Sequence, residues 1–192
     1  MQTNKICFIG NAGSGKSTLS AEVYVRLKKQ HKNAELVTEF VRSDIQINGP
    51  MSNIWEQYRT RSNQEQLENV IPKNVEYMVT DSGVLTPYFY ASLYADNTDA
   101  RQRIVLADMY RFLINDLFLK RYTHVFFIPM AETYASNPNM LSDGTRYQTP
   151  EQIQTLENHM SLIFTAIHRV DNVHVLDGPI DERCDRVMQI IS

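Results

Sequence analysis

The stretch Gly10-Asn11-Ala12-Gly13-Ser14-Gly15-Lys16-Ser17 matches G-x-x-x-x-G-K-[ST] at every fixed position, and no other part of the chain restricts the fold as strongly. Such a loop works only between a strand and a helix. Lys5-Ile6-Cys7-Phe8-Ile9 supplies an apolar run of strand length before it, and residues 17–30 have helical composition after it. Glycines in the loop let successive backbone N–H groups converge on phosphate oxygens at the positive end of the helix. Gly10, Asn11, Ala12, Gly13, Ser14, Gly15, Lys16, Ser17 and Thr18 are therefore read as the nucleotide site. Lys16 offers a cation to the β and γ phosphates, and the Ser17 hydroxyl a ligand to the Mg²⁺ that bridges them.

Strand-like and helix-like segments alternate through the rest of the chain. Residues 34–39 form a second strand ending on Glu39, and residues 75–81 a third ending on Asp81. A fourth spans 123–129, almost unbroken in its hydrophobicity, and a fifth 172–176. Helices are expected over 51–70, 87–94, 99–120, 150–170 and 179–191, with Ile54, Trp55, Tyr58, Leu67 and Val70 forming the apolar face of the first of these. No element is assigned to Phe40-Val41-Arg42-Ser43-Asp44, and Asn48-Gly49-Pro50 reads as a polar turn. Residues 130–149 lack periodicity, and a loop of that length in a compact domain is usually functional.

This alternation predicts an α/β fold: a three-layer sandwich around a five-stranded parallel sheet with right-handed crossovers, as a single domain over residues 1–192. Ligands of such sheets bind beyond the carboxyl ends of the strands. The phosphate loop, Glu39, Asp81 and the 130–149 segment are thereby brought to one rim.

The net charge of −3, with 19 basic and 22 acidic residues interspersed, argues against extended nucleic-acid binding while leaving room for a local DNA contact. Cys7 and Cys184 form no C-x-x-C pair and read as packing residues; His124, His159, His168 and His174 show no metal or triad spacing. No apolar run reaches the length of a membrane span, and the first strand begins too soon for a signal peptide, so the expectation is a cytoplasmic protein.

Phosphoryl transfer needs positioned phosphates, Mg²⁺, an oriented nucleophile and positive charge near the transferring group. Asp81 is a candidate to hold Mg²⁺ or to take the proton of the attacking hydroxyl, and Glu39 to act as base or to anchor substrate hydroxyls. Arg146, in Asp143-Gly144-Thr145-Arg146, is a candidate cation on a lid over ATP. Trp55, Tyr58, Arg59, Tyr88, Phe89 and Tyr90 are substrate-side candidates beside Glu39 and Arg42, with rings to stack on a base and arginines to answer a phosphate or ribose. At helical spacing, though, aromatic residues more often fill a core than form a ligand shelf.

Gly10 to Ser17, Glu39 with Arg42, Thr80-Asp81-Ser82, the Asp143-Gly144-Thr145-Arg146 segment and Val173-His174-Val175-Leu176-Asp177-Gly178 together resemble the P-loop kinase domain of bacterial nicotinamide-riboside kinases. They equally resemble the small AAA-labelled ATP-binding proteins grouped with that domain, several of them encoded by tailed phages. The resemblance implies ATP and Mg²⁺ as cofactors, Lys16 and Ser17 at the phosphates and metal, Asp81 beside the transferring phosphate and Arg146 in the lid. For a phage-encoded member it implies the host cytoplasm. The adenylyltransferase and DNA-binding parts of the bifunctional regulators are not found, and no arginine follows Asp81 where deoxynucleoside kinases carry one. The expected function is an ATP:Mg²⁺-dependent kinase acting on a hydroxyl of a nucleoside-like molecule, with nicotinamide riboside or a deoxynucleoside leading. A nucleotide or polynucleotide kinase is the alternative within that class. An ATP-dependent switch or partner-binding NTPase lies outside it; no N-K-x-D stretch for reading guanine occurs.

Overall fold

The structure, a computed structural model, describes residues 2–130, 147–167 and 171–192. Five strands, β1 (Asn4–Ile9), β2 (Ala34–Val37), β3 (Tyr77–Asp81), β4 (His124–Phe127) and β5 (Val173–Val175), pair in the order β2-β3-β1-β4-β5, and every pairing is parallel. The connecting helices are α1 (Lys16–Lys29), α2 (Phe40–Asn48), α3 (Ile54–Asn69), α4 (Pro87–Tyr94), α5 (Ala100–Phe118), α6 (Pro150–Ala166) and α7 (Ile180–Ile191). The expected five-stranded parallel α/β sandwich is the observed fold.

Alternation along the central strands builds the two cores. Ile6 and Phe8 of β1 pack with Leu19, Val23 and Leu27 of α1 and with Cys184 and Val187 of α7. Cys7 and Ile9 face the other layer, with Phe89 of α4, Leu113 and Leu117 of α5, and Phe164 of α6. Both faces of β1 are dry, which is why its sequence is apolar without a period. Both cysteines are buried and free, as their reading as packing residues requires. Among the described residues no helix is long and apolar enough to cross a membrane.

Two elements depart from expectation. Residues 40–48 form a helix where none is assigned from sequence; it starts directly from Glu39 and stops at Gly49, whose φ of 84° a side chain would resist. Its apolar Val41 and Ile45, one turn apart, line a cavity rather than a core, so the helix carries little of the usual pattern. The second departure is α3, begun by a capping box of Asn53 and Glu56. Of its expected apolar face only Ile54 is buried; Trp55, Tyr58, Leu67 and Val70 are exposed. The inward face is polar instead: Gln57, Thr60, Arg61, Gln64 and Glu68 are buried. Arg61 is held by Glu65 and Asp116 and lies over the Phe112 ring, 4.4 Å from its centroid, so ion pairs and cation–π contact take the place of aliphatic packing.

At the far end of the sheet His124 Nδ1 and His174 Nε2 meet at 3.5 Å across β4 and β5, stacked against Phe126. Burial pushes both imidazoles below their ordinary pKa; the facing His174 adds to this for His124, and Arg186 for His174. Burial acts alike on His159, which packs against Phe89. A depressed folded-state pKa means that the unfolded chain takes up protons first as pH falls, so this stability is complete above the unfolded pKa of about 6.5 and is lost below it. The melting temperature is expected to fall between about pH 7.5 and about pH 5.5, and His174→Gln to shallow that slope. An unchanged slope in the variant would remove the pair as its source.

Candidate active site

The phosphate loop leaves β1 and enters α1 through Gly15, whose φ of 92° is left-handed; no side chain caps the helix, so its first N–H groups stay open to a ligand. Lys16 is buried and its Nζ donates to the Asn11 carbonyl at 2.9 Å, folding the cation over the loop. Two distant elements fix the loop from outside. Asn11 Nδ2 donates to the Ile153 carbonyl of α6 at 2.7 Å, and Arg183 Nη1 of α7 donates to the Ser14 carbonyl at 3.0 Å.

A cavity of about 370 Å³ opens from this loop, in the size range of small-ligand sites. Ala12, Gly13, Gly15, Lys16, Ser17 and Thr18 of the loop line it, while Gly10, Asn11 and Ser14 do not and serve as the loop's frame. Glu39 and Arg42 line it as well, as do Ser82 and Gly83 of the turn after β3. Gln57, Thr60 and Gln64 of α3, Met51, and Tyr90 and Tyr94 of α4 also contribute to its wall.

Glu39 reaches this position because β2 runs straight into α2, leaving its carboxyl at the sheet's rim. Burial pushes that carboxyl above the ordinary range, and the Asp81 charge adds to the push; Lys16, Ser82 and Arg42 oppose it. The group is therefore a stronger base than an exposed glutamate, with Lys16 and Arg42 favouring its ionised form. Asp81 ends β3 opposite Phe8 of β1 and is buried behind the cavity wall. Its Oδ1 has no hydrogen-bond partner, and neither does the buried Ser14 Oγ. The orphaned Asp81 carboxylate oxygen and the cavity-lining Ser17 hydroxyl are both hard oxygen donors, the chemistry that Mg²⁺ shared with substrate phosphates requires.

The remaining sequence candidates lie elsewhere. Trp55 and Tyr58 are 50% and 41% exposed on the outer side of α3. Arg59 Nη2 is paired with the buried Asp44 carboxylate at 2.6 Å, away from the cavity wall. Tyr88 packs among Phe89, Tyr110 and His159. Arg146 and His168 lie outside the described residues. Tyr90, a candidate from sequence, does line the site, and Gln57, Thr60, Gln64 and Tyr94 line it without having been singled out. Their signal was present as a polar i, i+3, i+7 stripe on one helix and an i, i+4 tyrosine pair on the next.

A glycine-rich loop between the first strand and first helix of a parallel sheet, with Asp81 ending the neighbouring strand β3 and Glu39 at the N-cap of the helix that follows β2, defines a P-loop nucleotide-binding protein of the nucleoside and nucleotide kinase fold. The family model described as an AAA domain matches residues 5–183, and the chain belongs to that family. No curated protein matches it. Among solved structures, the NadR protein in complex with NR is similar with a TM-score of 0.73 at 16% identity, over 97% of this chain and 51% of that one. The chain thus spans about half the length of that NadR chain. Deoxyadenosine kinase from M. mycoides with bound dATP gives a TM-score of 0.67 at 19% identity, over 97% and 98% of the two chains. Thymidylate kinase from Candida albicans gives 0.69 at 15% identity, over 99% and 91%. At these identities the likeness is one of fold.

Proposed function

We propose that this protein is an ATP:Mg²⁺-dependent kinase that transfers the γ-phosphoryl group to a hydroxyl of an uncharged, nucleoside-like molecule, with nicotinamide riboside or a deoxynucleoside as leading acceptors. The observation that carries the reading is a cavity whose wall brings together the phosphate loop, the Glu39 carboxylate and a set of amides, hydroxyls and tyrosines from α3 and α4. The open N–H groups of the loop and Lys16 take the phosphates of ATP; Lys16 exchanges its bond to the Asn11 carbonyl for one to phosphate. Ser17 and Asp81 would hold Mg²⁺, which neutralises charge between the phosphates. Glu39 accepts the proton of the acceptor hydroxyl as its oxygen attacks, and Lys16 and Arg42 favour the ionised form that can do so. Folds shared with a protein solved with NR and with deoxyadenosine kinase support the acceptor class.

Charge favours a nucleoside over a nucleotide. Arginines 42, 59 and 61 could each answer an acceptor phosphate, yet Arg59 is engaged by Asp44 and Arg61 by Glu65 and Asp116. Among the described residues the cavity wall keeps Lys16 and Arg42 as its cations, and Lys16 serves ATP. Arg42, with the thymidylate kinase fold, is what favours the second reading, phosphorylation of a mononucleotide or of a DNA hydroxyl.

ADP release is the test, measured with ATP and Mg²⁺ across nicotinamide riboside, deoxynucleosides, mononucleotides and a short oligonucleotide. Turnover above the ATP-only rate is expected with unphosphorylated acceptors. Transfer only to the mononucleotides or the oligonucleotide moves the assignment to the second reading. A slow ATP-only rate that no acceptor raises removes both, in favour of a nucleotide-dependent switch.

A further inference from the structure

Behind the turn that follows Asp81 lies a buried polar chain that the proposed chemistry does not use. Arg121 Nε and Nη2 each donate to Glu68 Oε2 at 3.1 Å, and Arg121 Nη1 reaches Glu65 Oε1 at 2.8 Å. The Tyr122 hydroxyl donates to Glu68 Oε1 at 2.7 Å and accepts the Val84 N–H at 2.9 Å. Tyr122 is fully buried and the Glu68 side chain is 2% exposed. Placing a carboxylate and a phenol there is costly unless every bond is made, so the arrangement is specific.

What the chain holds is a strained piece of backbone. Ser82 and Gly83 both have left-handed φ, 70° and 53°, and for serine that conformation is unfavourable. Both residues line the cavity. The turn is pinned at its start by the Ser82 N–H on the Phe8 carbonyl, 2.9 Å, and further on by the Thr86 hydroxyl on the Ser82 carbonyl, 2.6 Å. Between these pins stands the phenol. A Cβ on Gly83 would lie 2.6 Å from the Tyr122 hydroxyl and 2.7 Å from Cys7 Sγ, which shows how closely the anchor abuts the turn.

We infer that Tyr122, oriented by Glu68 and Arg121, is a positioning residue for phosphoryl transfer. It fixes the Ser82-Gly83 turn and through it the direction in which Asp81 presents its unpartnered oxygen. Burial keeps the phenol protonated, so its one proton stays committed to Glu68 and its lone pair to Val84. Tyr122→Phe keeps the ring and removes both bonds, allowing the turn to relax out of its left-handed geometry. The inference rests on the kinase reading for its catalytic consequence, but its structural core does not.

Two measurements test it. With ATP and nicotinamide riboside, or the best acceptor of the screen above, Tyr122→Phe is expected to lower kcat by about tenfold or more while KM for ATP stays within about twofold, at a temperature where both proteins are fully folded. Glu68→Gln, which retains an acceptor for the phenol, is expected to keep kcat within about threefold of wild type despite a lower melting temperature. A kcat for Tyr122→Phe within twofold of wild type, or an equal loss in Glu68→Gln, would overturn the positioning role. The second measurement, amide hydrogen exchange followed by NMR, needs no acceptor. The Val84 amide is expected to be protected in wild type and to lose at least about tenfold of that protection in Tyr122→Phe, while β1 and β3 amides keep theirs. Rapid exchange of Val84 in the wild type itself refutes the anchor, whether or not the variant folds. A wild type that phosphorylates nothing sinks the kinase reading alone, and the exchange result then decides the anchor independently.

Discussion

Glu39→Gln is expected to cut kcat by about 10²- to 10⁴-fold, the usual contribution of a general base, while the affinity for Mg·ATP stays within about threefold. The side chain lines the cavity, and glutamine, of nearly the same size, fills the same space beside the phosphate loop. Only the capacity to take the acceptor's proton is removed. Because the base acts when ionised, kcat in the wild type should rise with pH through the Glu39 pKa, and burial sets that limb above the ordinary carboxylate range. In Glu39→Gln the limb should vanish. Stability moves the other way. The folded-state pKa is raised, so the unfolded chain loses its proton first as pH climbs; the contribution is present below the unfolded pKa and lost as pH rises through the folded one. Ionising Glu39 thus works against the fold, and its replacement should raise the melting temperature at pH above that pKa, a common trade between stability and activity. Asp81→Asn provides the contrast, because it should raise the Mg²⁺ concentration needed for nucleotide binding. Equal loss of Mg²⁺-nucleotide binding in both variants would refute the division between base and metal ligand.

The phosphate loop was legible because its pattern is local: eight consecutive residues carry the turn, the Lys16 cation and the Ser17 hydroxyl. The rim placement of Asp81 followed from a rule of topology, since parallel strands deliver their carboxyl ends to one edge. Glu39 reaches the cavity too, though β2 ends at Val37 and Glu39 caps α2 rather than ending the strand. What escaped was set by partners far away in the chain. Asn11 and Ile153 are 142 residues apart, and Arg183 and Ser14 are 169 apart; neither bond leaves a periodic trace in sequence. The α3 face was misread for a different reason. Trp55, Tyr58, Leu67 and Val70 are hydrophobic, but the helix packs over a ligand cavity and an ion-pair network, so the side that turns inward is the one that can hydrogen-bond. Helix α2 was missed by the same logic, with its apolar pair spent on the cavity wall. Arg59 looked available as a substrate cation because sequence does not reveal that Asp44, fifteen residues earlier, neutralises it. The site's outer wall was thus the least readable part of the chain, since its residues are chosen for a ligand as well as for each other.

The same contrast between local and distant constraint separates two glycines that the motif treats alike. Gly10 has an ordinary φ, so alanine suits its backbone; its surroundings do not permit it. An added Cβ would collide with the Ile128 carbonyl and come within 2.7 Å of Ser14 Oγ. Ile128 cannot retreat, because its N–H is bonded to the Ile9 carbonyl at 2.8 Å and its side chain is fully buried in the core. Gly15 is the reverse case, with a left-handed φ of 92° but no atom nearer to an added Cβ than Arg183 Nη1 at 3.8 Å. Gly15→Ala therefore carries backbone strain of about 1–2 kcal/mol without a steric collision. Gly10→Ala forces backbone against backbone and should cost about 3 kcal/mol, a drop in melting temperature on the order of 10 °C for a chain of this size. It should also abolish Mg·ATP binding, since the loop can relieve the collision only by moving off the frame set by β1 and β4. Denaturant unfolding and calorimetric titration with Mg·ATP will rank the two. If Gly15→Ala proves the more destabilised, close approach to the Ile128 carbonyl is not what requires glycine at position 10.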